Sequence, residues 1–266
     1  MATPIAVTIA GSDSSGGAGI QADIKTFSAL GVYSASVIAA LTAQNTRGVT
    51  AIHDVPPAFV TAQMDAVFSD LDVGAVKIGM LSNQGIIEAV AAGLARHGQG
   101  CVVLDPVMIA ASGDRLLAPE AVDTLRRVLI PRALIITPNL PEAAALLEGP
   151  VARNEIEMRE QARRLLALGC RSVLIKGGHG SGPESVDLFL DVTTEARLVA
   201  GRLPTQHTHG TGCTLSSAIA AGLAKGLALE AAVSEAKTYV TAAIAAADRL
   251  AIGSGIGPVH HFHAWW

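Results

Sequence analysis

The sequence predicts one α/β domain in which helices flank a mainly parallel β-sheet. Short apolar runs alternate with longer segments of helical spacing along most of the 266 residues, as is typical of right-handed βαβ units. Half of the residues are hydrophobic and only 16% are charged, which is enough apolar material for a well-buried core. No charged run or low-complexity stretch divides the chain, so we predict a single domain over residues 1–266.

The first elements follow from short apolar runs and the residues that end them. Ile5–Ala10 predicts a buried strand because Gly11 stops the apolar run. Residues 20–30 have helical spacing after a loop of small residues and glycines. Residues 32–41 and 49–55 are rich in β-prone side chains, and we expect the polar segment between them to be a loop.

From residue 58 onwards the alternation becomes regular. Segments with a period of about 3.6 residues predict helices, and apolar runs bounded by breakers predict strands. The expected elements are a helix at 58–71, a strand at 75–79, a helix at 84–97, a strand at 101–105, a helix at 119–129, a strand at 133–137, helices at 140–147 and 155–168, a strand at 172–176, a hairpin of 186–192 and 196–203, and two helices, one from about 214 and one over 229–250.

Charge and cysteine content exclude several classes of protein. A net charge of −4 without a basic run argues against a general binder of nucleic acid or anionic membranes. Cys101, Cys170 and Cys213 are far apart and form no CxxC pair, so neither a zinc ribbon nor a disulfide framework is indicated. The sequence has no long apolar span and no secretory leader pattern, and we expect a cytoplasmic protein.

The segment 209–215 is the strongest candidate for a reactive site. Gly210 and Gly212 lie next to a run of helical spacing, 214–226, where a helix N-terminus offers unpaired N–H groups and a positive dipole end. Glycines let such a backbone approach an anion closely, although a tight turn into a packed helix is the alternative. Cys213 at the helix start is expected to have a lowered pKa.

Polar side chains recur where the predicted strands end. In parallel sheets, ligands bind beyond the C-terminal ends of the strands, so these residues are expected to share one site. Capping of the following helix could explain any one of these residues. It is a poor explanation for polar residues at the ends of five strands. The residues are Asp13, Gln44, Asn45, Asp105, Asn139, Glu142 and Lys176.

The sequence does not satisfy either of two common nucleotide-binding motifs. The remaining interpretation is a phosphoryl-transfer site assembled from the ends of separate strands. The spacing Gly17-x-Gly19-x-x-Ala22 matches part of the dinucleotide fingerprint, but no acidic residue ends the second strand. No P-loop is present either. Asn139 and Glu142 could hold Mg²⁺ one helical turn apart.

Asp105, Lys176 and the helix start at Gly210 would complete the phosphoryl-transfer site. Asp105 could hold a water of the Mg²⁺, and Lys176 could balance phosphate charge. The helix start at Gly210 and Gly212 would stabilise the transferring group, because such catalysis consists mostly of positioning and electrostatics.

The chain resembles the hydroxymethylpyrimidine/phosphomethylpyrimidine kinases of thiamin biosynthesis, which belong to the ribokinase-like superfamily. The segments that carry the resemblance are AGSDSSGGAGIQADIK (10–25), LTAQNT (41–46), KIGML (77–81), DPVM (105–108), TPNLPEA (137–143), KGGH (176–179), HGTGCTLSSAI (209–219) and GPVHHFH (257–263). The resemblance implies a ribokinase-like three-layer fold with a small edge hairpin. It also implies a homodimer that uses ATP and Mg²⁺ to phosphorylate 4-amino-5-hydroxymethyl-2-methylpyrimidine and then its monophosphate.

The same resemblance assigns roles to individual residues. Gln44 would read the aminopyrimidine edge, and the residues around the ring would be Gly11, Asp23, Met80 and Val107. The expected catalytic residues are Cys213, Lys176, Gly210, Gly212 and Asp105. The expected contacts to ATP are Lys176, Thr211, Gly212, Lys237 and Asn139, and the expected ligands of Mg²⁺ are Asp105, Glu142 and Asn139. Most of the superfamily has an aspartate base where Cys213 stands.

Several alternatives stay open at this point. A pyridoxal kinase of the same superfamily is the nearest, although Gln44 and Met80 favour a pyrimidine. A hydrolase with Cys213 as nucleophile would need a base such as His209, and a non-catalytic pyrimidine sensor is a third possibility. The histidines 260, 261 and 263 are expected to form a polar C-terminal tail rather than a metal site. Residues 32–55 could form a dimer interface.

Overall fold

The computed structural model describes residues 2–109, 113, 116–180 and 182–266. The strands are β1 (Ile5–Gly11), β2 (Tyr33–Asn45), β3 (Gly48–Asp54), β4 (Ala75–Ile78), β5 (Val102–Leu104), β6 (Ile135–Ile136), β7 (Ser172–Ile175), β8 (Glu184–Asp191) and β9 (Glu195–Gly201). The helices are α1 (Gly19–Ala29), α2 (Pro57–Phe68), α3 (Gln84–Arg96), α4 (Pro119–Thr124), α5 (Leu140–Leu146), α6 (Glu155–Leu166), α7 (Thr211–Ala224) and α8 (Leu229–Ala245). After α4, a π turn at Leu125–Leu129 and a 3₁₀ turn at Ile130–Arg132 continue the helical path.

The strands form one mixed sheet in the order β3-β2-β1-β4-β5-β6-β7-β8-β9. The six strands from β2 to β7 in this order pair in parallel. The pairs β2–β3, β7–β8 and β8–β9 are antiparallel and close the two edges. This sheet confirms the predicted mainly parallel architecture and the predicted hairpin of β8 and β9.

Helices cover both faces of the sheet and enclose two apolar clusters. Val7 and Ile9 of β1 point into the cluster that α2 to α6 cover. Ala6, on the opposite face of the same strand, joins the cluster under α1, α7 and α8. The alternation follows from the two-residue period of a strand, and it gives the three layers that the resemblance implied.

The second strand is longer than the sequence indicated, and this corrects one expectation. Residues 42–45 were expected to be a loop, but β2 continues to Asn45 and turns back into β3. Gln44 therefore lies inside a strand, opposite Val49, and does not follow one. The antiparallel partner supplies backbone hydrogen bonds for these polar residues, so tertiary pairing overrides their weak β-propensity.

The C-terminal segment 257–266 packs onto the molecule and is no polar tail. His209 donates its backbone N–H to the Gly257 oxygen (3.0 Å), and Val259 donates to the His209 oxygen (3.2 Å). His260 and His261 are buried, with 1% and 5% of their surfaces exposed. The prediction of a polar C-terminal tail was therefore wrong, because these two histidines lie in the protein beside the fully buried Val259. No helix in the described ranges has the length and apolar character to cross a membrane.

Replacing Tyr239 with phenylalanine should loosen this C-terminal segment. The Tyr239 hydroxyl donates to the backbone oxygen of His261 (2.5 Å), and its loss leaves that carbonyl unpaired. We expect the free energy of unfolding to fall by about 1 kcal/mol in urea denaturation. Tyr33→Phe is the matched control, because 57% of Tyr33 is exposed and the change should stay within about 0.5 kcal/mol. Equal values for the two variants would contradict a tethering role for Tyr239.

Candidate active site

A cavity of about 760 Å³ opens where the parallel strands end. Its position agrees with the general rule for such sheets. All but one of the residues assigned from sequence to catalysis, substrate, ATP or Mg²⁺ line this cavity: Gly11, Gln44, Met80, Asp105, Val107, Asn139, Glu142, Lys176, Gly210, Thr211, Gly212, Cys213 and Lys237. Asp23 is the exception, because it is fully buried beneath the cavity wall.

Helix α7 begins three residues earlier than the sequence indicated. Thr211 is its first residue, so Gly212 and Cys213 lie in its first turn and not before it. Gly210 is the N-cap and has a left-handed backbone with φ of 78°. A Cβ at this position would overlap the backbone oxygen of Gly17, so only glycine fits. The helix start is thus fixed against the glycine loop that follows β1.

Lys176 and Asp105 form an ion pair directly below this helix start. Lys176 Nζ lies 2.6 Å from Asp105 Oδ1, which also accepts a hydrogen bond from Thr137 Oγ1. A Cβ built on Gly212 would lie 3.2 Å from Lys176 Nζ, so the ammonium group faces the first turn of α7. Burial alone would lower the pKa of Lys176, but Asp105 and Glu142 hold that pKa above its ordinary value. Lys176 therefore stays a cation at neutral pH.

Asn139 and Glu142 form a capping box at the start of α5. Glu142 Oε2 accepts the Asn139 N–H (2.7 Å), and Asn139 Oδ1 accepts the Glu142 N–H (2.9 Å). The helix-cap alternative therefore holds for Asn139, while its expected role as a ligand of Mg²⁺ stays a prediction. Burial, with Asp105 nearby, raises the pKa of Glu142 although Lys176 opposes the shift.

The carboxylates of Glu142 and Asp105 suit a hard cation. Both approach Lys176 Nζ, at 3.9 Å for Glu142 and at 2.6 Å for Asp105. Carboxylate oxygens are the donors that Mg²⁺ prefers, and a Mg²⁺ that keeps several waters needs only one or two of them from the protein. The residues present therefore fit the ion that the resemblance implies.

Cys213 differs from the expectation for a cysteine at a helix start. Burial, together with Asp23 and Asp105, raises the pKa of its thiol to about 11, although Lys77 opposes this shift. The predicted lowering of the pKa was therefore wrong, because desolvation outweighs the helix dipole at this position. At neutral pH the side chain is a neutral thiol, which suits the acceptor side of a kinase better than the nucleophile of a hydrolase.

His209 has a structural partner on the loop after β1. Its Nε2 lies 2.8 Å from Asp13 Oδ2, and the same oxygen accepts the N–H groups of Gly17 and Ala18. The hydrogen bonds from His209 and Ser15 lower the pKa of Asp13 well below its ordinary value, although burial acts in the opposite direction. His209 thus ties two glycine-containing loops together, and its ring bonds to Asp13 and approaches Gln44, with no hydrogen bond to Cys213 among the described residues.

Gln44, Gly11 and Met80 form the other end of the cavity. Gln44 Oε1 accepts a hydrogen bond from Thr42 Oγ1 (3.1 Å), and Gln44 Nε2 lies 3.5 Å from His209 Nε2. The Gly11 N–H donates to the Met80 oxygen (3.1 Å), and a Cβ on Gly11 would lie 2.7 Å from Met80 Cε. Thr42 and His209 therefore hold the side-chain amide of Gln44, while Gly11 packs tightly against Met80.

A second lysine–aspartate pair, not predicted from sequence, lies beneath this end. Lys77 Nζ is 2.9 Å and 2.8 Å from the two carboxylate oxygens of Asp23, and both side chains are fully buried. Thr8 and Ser217 also donate to Asp23. The signal available in the sequence is a lysine inside the apolar strand Ala75–Ile78, because a buried lysine requires an acidic partner. The partner itself is 54 residues away in sequence, and no local pattern identifies it.

Lys237, expected to face phosphates, has an acidic partner of its own. Its Nζ lies 2.7 Å from Asp187 Oδ2, while Asp187 Oδ1 accepts the N–H of Gly177. Both residues line the cavity. The pair links α8 to the turn that follows Lys176. Asp187 lies on β8 and Gln44 on β2, near opposite edges of the sheet, so Lys237 stands at the end of the cavity opposite Gln44.

Comparison with known proteins identifies the family. A model described as phosphomethylpyrimidine kinase matches residues 13–260. The hydroxymethylpyrimidine/phosphomethylpyrimidine kinase of Rhizobium meliloti is 63% identical over 264 residues, which are 99% of each chain. The protein with the same description from Escherichia coli is 58% identical over 98% of each chain. The chain belongs to the phosphomethylpyrimidine kinase family.

Solved structures confirm the ribokinase-like fold that the resemblance implied. The ADP complex of Bacillus subtilis pyridoxal kinase has a TM-score of 0.91 and 36% identity, with 99% of each chain covered. The phosphomethylpyrimidine kinase of Clostridium difficile has a TM-score of 0.80 and 46% identity, with 90% of this chain and 99% of that chain covered. Members of the phosphomethylpyrimidine kinase family and pyridoxal kinases therefore share this backbone arrangement.

Gly212→Ala should reduce turnover while the fold stays intact. The new methyl group would lie 3.2 Å from Lys176 Nζ and 3.5 Å from Asp105 Oδ2, and it would move the cation or the phosphoryl group aside. A displacement of about 1 Å can lower a rate on the order of a hundredfold, so we expect kcat for pyrimidine phosphorylation to fall steeply. Gly100→Ala is the control, because its Cβ would meet no atom within 4 Å. Normal turnover in Gly212→Ala would contradict an anion site at this helix start.

Proposed function

We propose that the chain transfers a phosphoryl group from ATP to the hydroxymethyl group of 4-amino-5-hydroxymethyl-2-methylpyrimidine, and a second one to the resulting monophosphate, in thiamin biosynthesis. The observation that carries the proposal is the ion pair of Lys176 and Asp105 beneath the first turn of α7, between two differently lined ends of one cavity. The family and the names of its members support the identity of the substrates.

The centre of the cavity provides the electrostatics of phosphoryl transfer. The N–H groups of the first turn of α7 have no partner within the helix, and the Lys176 ammonium lies beside that turn, so both could stabilise charge that develops on the transferring group. Mg²⁺, held by Glu142 with Asp105 in support, would neutralise phosphate charge. Lys176 would then exchange part of its contact with Asp105 for a phosphate oxygen.

The end at Lys237 suits the nucleotide. Val240 and Ile244 of α8, with Leu203 after β9, give this part of the cavity apolar walls beside the Lys237 ammonium. An apolar wall next to a fixed cation matches a base and its phosphates. The solved Staphylococcus aureus pyridoxal kinase with AMP-PCP and pyridoxal, 31% identical, supports the use of ATP by this fold.

The end at Gln44 suits the aminopyrimidine, and the neutral Cys213 suits both acceptors. In the first step the acceptor is an uncharged alcohol, whereas in the second it is a phosphate monoester that is already ionised. A permanently charged aspartate in the place of Cys213 would repel the second acceptor. The neutral thiol, whose pKa is about 11, does not.

A homodimer located in the cytoplasm belongs to the same proposal. The exposed apolar side chains of Tyr33, Leu41 and Ile52 lie on β2 and β3, at one edge of the sheet. Such a patch supports an interface at this edge. Sedimentation of the purified protein measures the mass, and a monomer at micromolar concentration would contradict the dimer.

One coupled assay tests the proposed function. ATP consumption is measured with the pyrimidine alcohol, with its monophosphate and with pyridoxal in parallel, and we expect the two pyrimidines to be preferred. Pyridoxal is the second candidate because the similarity to the Bacillus subtilis pyridoxal kinase covers 99% of each chain. Exclusive use of pyridoxal would overturn the proposal in favour of that candidate.

Gln44→Ala should raise KM for the pyrimidine and leave KM for ATP unchanged. A site built to hydrogen-bond a polar edge loses discrimination when one partner is removed. The matched control is Gln63→Ala. Gln63 lies on α2, and its side-chain amide is also hydrogen-bonded, in this case to the backbone of Ile38 outside the cavity. If KM for both substrates rose together, Gln44 would have a structural role only.

Glu142→Gln should weaken the dependence on Mg²⁺ without loosening the fold. Glutamine can keep the capping box with Asn139, since its oxygen can accept the same N–H group, but it removes the negative charge beside Lys176. We expect half-maximal activity to require about tenfold more Mg²⁺, which corresponds to about 1.4 kcal/mol of binding free energy. Thermal unfolding serves as the control and should be little changed. An unaltered Mg²⁺ titration would remove Glu142 from the metal site.

A further inference from the structure

The pairs Lys176–Asp105 and Lys77–Asp23 contact two neighbouring faces of the first two turns of α7. Gly212 and Ser216 are four residues apart and face Asp105, whose Oδ2 lies 3.4 Å from Ser216 Oγ. Cys213 and Ser217 have the same spacing one residue further on, and Ser217 Oγ donates to Asp23 Oδ1 (2.7 Å). Residues four apart lie on one face of a helix, so the face that carries Cys213 is the face that rests on Asp23 and Lys77.

The Lys77 ammonium has a fixed place in this arrangement. Its Nζ donates hydrogen bonds to both carboxylate oxygens of Asp23, and a Cβ on Gly79 would lie 2.7 Å from Nζ. Burial alone would lower the pKa of Lys77, but Asp23 and the other acidic groups outweigh burial and raise it, so the group is charged. Lys77 is among the residues that line the cavity and Asp23 is not, although both side chains are fully buried. Lys77 is therefore the member of the pair that lies nearer the cavity.

The acceptor side of the cavity is otherwise rich in acidic groups. Asp13 lies there in contact with His209, and Asp105, in contact with Lys176, borders it at the centre of the cavity. An alcohol can bind among these carboxylates without electrostatic cost, but a phosphate monoester carries a charge of about −1.5 to −2 at neutral pH. A second acceptor of that charge needs a further cation near Cys213, and Lys77 is placed there.

We propose that Lys77, held by Asp23, is the residue that allows the site to accept a phosphomonoester, and so determines the second phosphorylation more than the first. The proposal rests on the proposed function, because it concerns the second substrate of that same site. Lys77 acts through its fixed charge at the cavity wall. The neutral first acceptor is nearly insensitive to that charge.

The test removes both charges of the pair together in Lys77→Met/Asp23→Asn. Removing one partner alone would leave an unpaired buried charge and destabilise the protein. We measure kcat/KM for the pyrimidine alcohol and for its monophosphate, each with saturating ATP, in the wild type and in the variant. The expected result is that the ratio of monophosphate to alcohol efficiency falls about tenfold or more, mainly through KM for the monophosphate.

Thr8→Val is the matched control for disturbance of the buried network. It removes the hydrogen bond of 2.6 Å to Asp23 without removing a charge, and the ratio should stay at the wild-type value. Equal losses for both acceptors in the double variant, or the same change of ratio in Thr8→Val, would overturn the proposal. A wild type that phosphorylates neither pyrimidine would instead overturn the proposed function, and this inference with it.

Gly79→Ala provides a second variant in case the double variant does not fold. Its methyl group would displace Lys77 Nζ from the position it now holds and leave every charge in place. We expect the ratio of monophosphate to alcohol efficiency to fall again, but by less than in the double variant. A folded Gly79→Ala protein with an unchanged ratio of the two efficiencies would count against the charge of Lys77 as the determinant.

Discussion

The contact between Gly210 and the Gly17 carbonyl determines where α7 begins, and the site depends on that position. The left-handed backbone of Gly210 leaves room for the Gly17 oxygen, and a Cβ on Gly17 would in turn meet His209. The glycine loop after β1, the start of α7 and the C-terminal segment therefore form one packed unit. Because Gly212 and Cys213 lie in the first turn of α7, the same contact sets their distances from Lys176 and Lys77.

Paired charges keep this cavity both polar and stable. Lys176, Lys77 and Lys237 each have a buried carboxylate partner. For Lys176 and Lys77 the acidic neighbours outweigh burial and raise the pKa of the ammonium group. A buried pair contributes little net stability, since desolvation offsets most of the attraction. What the pairs provide is a set of fixed cations along one cavity, arranged before the ligand arrives, and such preorganisation is the main source of electrostatic stabilisation in enzymes.

Local periodicity predicted the parts of this protein that local forces determine. The alternation of strands and helices gave the fold, and the strand ends placed residues such as Asp105 and Lys176 at one cavity. Local periodicity could not predict partners that are distant in sequence. Nothing near Lys77 indicates Asp23, and nothing near residue 42 indicates the pairing with β3. The predicted direction of the pKa shift of Cys213 was also wrong, because a helix start can be recognised in the sequence whereas the depth of burial cannot.

The backbone of this protein does not by itself choose the acceptor. Pyridoxal kinases match it with a TM-score of 0.91, higher than the 0.80 of the Clostridium difficile phosphomethylpyrimidine kinase, although their sequence identity is lower. We therefore propose that selection comes from side chains at the Gln44 end of the cavity. A neutral thiol at Cys213 allows a charged or an uncharged acceptor, and a hydrogen-bonding amide favours a ring with a polar edge. On this view, the two acceptors differ in how strongly they depend on the charge beneath Cys213, while the centre formed by Lys176, Asp105 and α7 is common to both.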